Sequence, residues 1–83
     1  MTYRLLQLAP GSYDVVLNGI IIASLVMDEG PSRARTWTAE LLVDLPPEER
    51  PAPFVEREHQ FSSLEEVRAW LGNAEIRHTT RET

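Results

Sequence analysis

Few side chains in this 83-residue chain are equipped for chemistry. His59 and His78 are its only histidines, and they lack the i, i+4 spacing that sets two imidazoles on one helix face to hold a metal. Both are expected to be solvated. Ser62 and Ser63 are the obvious hydroxyl nucleophiles, yet no G-x-S-x-G elbow surrounds them, and a helix-capping role accounts for both. Asp28 and Glu29 are adjacent carboxylates just before Gly30-Pro31, a turn signal that explains them without acid–base work. The four glycines are too scattered to form a phosphate-cradling loop. The expectation is a protein that is not an enzyme, with no catalytic residues, no metal and no cofactor. Arg33 and Arg35, close to Trp37, form a possible anion contact, because guanidinium forks fit phosphate and carboxylate. A solvated loop is the simpler reading of the same residues.

Charge separates the function classes further. Thirteen acidic residues against eight basic ones leave a net charge of -5, and every basic residue is arginine. Such a domain lacks long-range attraction for phosphate, so direct DNA binding is not expected. Asp44, Glu48, Glu49, Glu56 and Glu58 fall in one stretch against Arg50 and Arg57. Acidic surface commonly serves solubility. On a small rigid protein it also imitates a phosphate backbone and occupies the basic groove of a nucleic-acid-binding complex. The chain has no cysteine, which removes disulfides and thiolate chemistry and points to a reducing compartment. The apolar run before Pro10 and Gly11 is too short for a signal-peptide core or a membrane span. A cytoplasmic location without membrane contact is therefore expected.

The elements that must position these residues follow from pattern. "YRLLQLA" (Tyr3–Ala9) reads as a strand closed by Pro10-Gly11, and "SYDVVL" (Ser12–Leu17) as a second. Asn18-Gly19 supplies two residues able to take positive φ, the requirement of a type I′ hairpin turn. Leu17 is then expected to pair with Ile20, and Val15 with Ile22. "DEGPSRAR" (Asp28–Arg35) reads as a loop, and "TWTAELLV" (Thr36–Val43) as a fourth strand with Trp37, Ala39, Leu41 and Val43 on one face. Four prolines between Asp44 and Phe54 exclude a central strand or helix interior there, and predict an extended run over the surface. In "FSSLEEVRAWLG", Ser62 or Ser63 caps a helix whose Leu64, Val67, Trp70 and Leu71 share a face, and Gly72 ends it. The expected architecture is α+β: an antiparallel four-stranded meander sheet with one C-terminal helix packed on one face. Residues 1–72 form the domain, and 73–83 a frayed tail.

Three consecutive isoleucines, Ile20 to Ile22, imply apolar side chains on both faces of the hairpin. One short helix covers one face. Either the proline-rich segment, with Phe54, Val55 and Phe61, covers part of the other, or that face is a contact surface. On the second reading Ile21, Leu25 and Met27 join Asp44, Glu48, Glu49, Glu56 and Glu58 as partner-binding residues.

With "YRLLQLAPGSYDVVLNG", "WTAELL" and "FSSLEEVRAWLG", the chain resembles small single-domain proteins of unassigned function from alphaproteobacteria and their phages. That resemblance implies a compact sheet-plus-helix fold and no activity. The passage from the last strand into "FSSLEEV" also resembles integrase arm-binding domains, whose sheet enters a DNA groove, although Glu40 and Asp44 stand here where that pattern has basic residues. In size and acidity the chain is similar to small anti-CRISPR proteins. Three functions are therefore weighed: a protein-binding inhibitor or adaptor, which these features favour; a nucleic-acid module using the Arg33/Arg35 loop; and a structural domain that hides its second apolar face in a homodimer. A monomer or a homodimer fits the first.

Overall fold

The computed structural model describes residues 2–30 and 34–78. Its strands are β1 (Tyr3–Ala9), β2 (Ser12–Leu17), β3 (Ile20–Glu29), β4 (Arg35–Leu41), β5 (Glu58–Phe61) and β6 (Glu75–His78), with one helix, α1 (Leu64–Trp70), between the last two. They form a single mixed sheet of six strands in the order β5-β4-β3-β2-β1-β6. β1 to β5 make an antiparallel meander, and the chain then crosses back through α1 to lay β6 parallel to β1 at the opposite edge. The α+β class holds, while the expected four-stranded meander is two strands short. The expected frayed tail from Asn73 is likewise corrected, since Glu75–His78 is a strand paired with Arg4–Gln7. Thr79–Thr83 lie outside the described residues.

Local chemistry sets the turns. Asn18 and Gly19 take φ of 53° and 85°, the two positive values a type I′ turn demands, and Leu17 pairs with Ile20 as expected. The register then shifts: Val16 pairs with Ile21 but Val15 pairs with Ala23, so Ile22 is the extra residue of a β-bulge. The expected Val15–Ile22 pair is corrected by this bulge, and so are the faces. Beyond it, Ala23 and Leu25 turn inward opposite Leu41 and Ala39, while Ser24 and Val26 turn outward opposite Glu40 and Thr38. β3 also runs on through Asp28 and Glu29, which pair with Thr36 and Arg35, so the expected loop is shorter than Asp28–Arg35.

The core lies on one side of the sheet, built from Leu5, Val15, Ala23, Leu25, Ala39 and Leu41 beneath Val67 and Leu71 of the helical segment. Seven helical residues span only about 10 Å, too little to roof six strands. Phe54 completes the roof. It is 2% exposed, its ring centroid sits 4.7 Å from that of Trp70 and 6.3 Å from that of Tyr3, and the Tyr3 hydroxyl donates to the Ala52 carbonyl at 2.7 Å. Burial raises the Tyr3 phenol above its ordinary pKa. The proline-rich segment thus packs on the same side as the helix and leaves the other sheet face open.

α1 starts as its sequence predicts. Ser63 is the N-cap, its Oγ accepting from the Glu66 N–H at 3.1 Å, and Glu66 Oε1 accepts in return from the Ser62 N–H and Oγ, both at 3.0 Å. Gly72, at φ 76°, ends it. Arg68 Nε then donates to the Ala74 carbonyl at 2.9 Å, tying the helix to the start of β6.

Candidate docking site

The expected strip of Ile21, Leu25 and Met27 does not form. Ile21 is 48% exposed on the open face, whereas Leu25 is wholly buried between Tyr13 and Ala39. Met27 is half-buried on the core face opposite Trp37, and its N–H donates to the Gly11 carbonyl at 2.8 Å. Six residues of extended chain set Met27 about 20 Å from Ile21. The bulge is the physical reason: it moves every side chain after Ile22 to the face opposite the one that strict alternation predicts.

Where the sheet loses its roof, a different apolar surface appears. β4 ends at Leu41, and the chain leaves the sheet until Arg57, whose carbonyl accepts from the Leu41 N–H at 2.9 Å. The Leu42 N–H still donates to the Ile22 carbonyl at 3.0 Å, so the departing segment stays fastened to β3. Between them lies a groove of about 190 Å³, with Ile20, Ile21 and Ile22 on one wall and Leu41, Val43, Leu45 and Pro51 on the other. All seven side chains are apolar. Ile20 is 66% exposed, Val43 59% and the adjacent Leu42 56%. A 3₁₀ turn at Pro47–Glu49 and the Arg50 Nη1 contact to the Val55 carbonyl, 3.0 Å, shape the far wall. Sequence pattern missed Val43, Leu45 and Pro51 because strand periodicity carried β4 on to Val43, on one face with Trp37, Ala39 and Leu41, and the prolines read as a surface run.

The carboxylates fall into two sets, one beside this groove and one on the open sheet face. Asp44 stands between the lining residues Val43 and Leu45, and Glu48 and Glu49 stand in the turn before Pro51; all three are exposed. On the open sheet face, cross-strand pairing aligns Glu58, Glu40, Ser24, Asp14, Leu6 and Arg77 in one row across all six strands. Glu58 therefore joins Glu40 and Asp14 rather than Asp44. Arg57 Nη2 lies 3.9 Å from Glu40 Oε2, and both side chains are about half exposed. Glu56 is exposed just before β5, and its N–H donates to His59 Nε2 at 3.0 Å.

The remaining candidates are placed elsewhere. Arg35 is exposed at the first position of β4, the end of the strand away from the groove, and Arg33 lies outside the described residues. His59 is not simply solvated: its ring centroid is 4.7 Å from that of Trp70, and its Nε2 accepts from the N–H groups of Val55 and Glu56. This role requires a free lone pair at Nε2 and is structural. Among the described residues no three His, Asp or Glu side chains are gathered to hold a metal ion, and no helix is long and apolar enough to cross a membrane. Compared with known proteins, the chain matches no family model, no curated protein and no solved structure.

Proposed function

We propose that this protein is a non-enzymatic binding module, of the inhibitor or adaptor class, that docks another protein through the groove between Ile20–Ile22 and Leu41–Pro51. One observation carries the reading: a groove whose walls are wholly apolar opens at a site where several large aliphatic side chains are half exposed or more. Contiguous exposed apolar surface on a small domain marks an interaction site more often than chance packing. Blocking a nucleic-acid-binding effector, in the manner of small acidic anti-CRISPR proteins, is a specific form of this class that suits the net charge of -5. A cytoplasmic setting accords with a chain that has no cysteine.

A photo-crosslinking side chain at Val43, compared between the wild-type sequence and an Ile20→Ser/Ile21→Ser variant, tests the reading in the native host. A discrete adduct that the variant loses is the expected result. The same adducts from both proteins, with both folded by circular dichroism, overturn it.

A further inference from the structure

The groove is apolar along its length, and the segment that forms its outer wall is acidic; that combination selects an occupant. Exposed Asp44 alternates with the lining residues Val43 and Leu45 on the outer wall, and exposed Glu48 and Glu49 stand just before the lining residue Pro51. Arg57 lies against Glu40 and offsets its charge, and Arg50 donates to the Val55 carbonyl and keeps its own, so three carboxylates against one guanidinium leave the outer wall net negative. Resting on the docking reading above, we infer that the occupant is a cationic segment of a partner protein, with aliphatic or aromatic side chains entering the groove and lysine or arginine flanking them.

A second copy of this chain fits less well. In a groove-on-groove dimer, a two-fold axis across the groove sets Asp44, Glu48 and Glu49 over their own counterparts, and one along it sets them over the Ile20–Ile22 wall, where no lining residue is basic; neither arrangement answers their charge. An apolar groove with an acidic outer wall instead attracts opposite charge at long range and holds apolar side chains at short range. Nucleic acid matches neither part, because its phosphates meet carboxylates and its bases find no aromatic ring among the groove walls.

The probe is a set of three synthetic peptides of equal length: alternating Lys and Leu, alternating Glu and Leu, and alternating Lys and Ser. Binding is read by fluorescence anisotropy, and the bound surface by amide chemical shifts. The Lys–Leu peptide is expected to bind most tightly, shifting Ile20–Ile22 and Leu41–Leu45, and the other two at least about tenfold more weakly. Substituting Asp44→Asn, Glu48→Gln and Glu49→Gln together is expected to weaken the Lys–Leu peptide about tenfold and to flatten its salt dependence, as loss of three rim charges does. Ile20→Ser/Val43→Ser is expected to abolish the shifts while the melting curve stays in place.

Equal binding of the Lys–Leu and Glu–Leu peptides in the groove overturns the cationic occupant and leaves the docking reading standing. Shifts confined to the open face away from Ile20–Ile22 overturn both. Self-association by light scattering that Val43→Ser removes assigns the groove to a second copy and likewise overturns the inference.

Discussion

Replacing Phe54 by alanine is the sharpest test of how this domain is held together. Phe54 lies in a proline-rich stretch without strand or helix, yet it is 2% exposed and contacts the rings of Tyr3, His59 and Trp70 at centroid distances of 6.3, 5.8 and 4.7 Å. Truncating a buried phenylalanine costs about 3–5 kcal/mol. A domain of 83 residues has roughly 4–12 kcal/mol of total stability, so the loss is a large share of it. At about 4–8 °C per kcal/mol, the melting temperature falls by roughly 12–40 °C, or the variant does not fold. The neighbouring Val55 is 66% exposed, and Val55→Ala is expected to cost under about 0.5 kcal/mol. Thermal melts followed by far-ultraviolet circular dichroism compare the two directly. A Phe54→Ala melt within a few degrees of wild type would refute the claim that this segment completes the roof over the sheet. A double-mutant cycle with Trp70→Ala adds a local measure, with a coupling of about 0.5–1.5 kcal/mol expected for the aromatic pair.

Three further outcomes are expected. Ile21→Asp, on the open face, leaves the melting temperature nearly unchanged, whereas Leu25→Asp strands a charge in the core and unfolds the domain; equal losses for both contradict the bulge. Ser63→Ala removes the helix cap and costs about 1 kcal/mol in urea titration, and no change in midpoint argues against the cap. The hydrogen bonds that Glu66 accepts from the Ser62 N–H, and then from its hydroxyl, hold the carboxyl below its ordinary pKa of 4.5. A depressed folded value gives stability that is full above the unfolded-state pKa and lost as pH falls through the folded one. Below about pH 4.5 the wild-type melting temperature should therefore fall more steeply than that of Glu66→Gln, and parallel curves contradict this.

How much of this was legible depends on whether the signal is local. The hairpin at Asn18-Gly19 and the helix capped at Ser63 announce themselves, because turn φ values and capping hydrogen bonds are fixed by neighbours in sequence. β5 and β6 do not. "EHQF" and "EIRH" have weak strand preference by themselves and become strands by pairing along β4 and β1, contacts that no short window contains. Phe54 was legible as a covering residue but on the wrong face, since the partners that fix its side, Tyr3 and Trp70, are far away in sequence. The candidate site suffered most. One bulged residue, Ile22, reverses the faces of everything after it in β3, so an expectation built on alternation kept Ile21 but lost Leu25 and Met27.

The exposed aliphatic surface that replaces the expected strip also bounds the strength of any complex formed there. Ile20, Ile21, Leu42 and Val43 are 66%, 48%, 56% and 59% exposed, together roughly two whole side chains available for burial. At about 1.5–3 kcal/mol per fully buried side chain, covering them supplies roughly 3.5–7 kcal/mol. Loss of rigid-body freedom on association costs at least about 4 kcal/mol. Apolar contact here is therefore insufficient for a tight complex. A lasting one needs either partner contacts beyond the groove or help from Asp44, Glu48 and Glu49, whose exposed charges act chiefly on the association rate and weaken with salt. Docking at this site is expected to be strongly salt-dependent in its on-rate and only weakly so in its off-rate. Stopped-flow mixing with the Lys–Leu peptide at two ionic strengths measures both. An off-rate that carries the salt dependence would mean that charge pairs are buried in the complex, and that the carboxylates form the floor of the site rather than its margin.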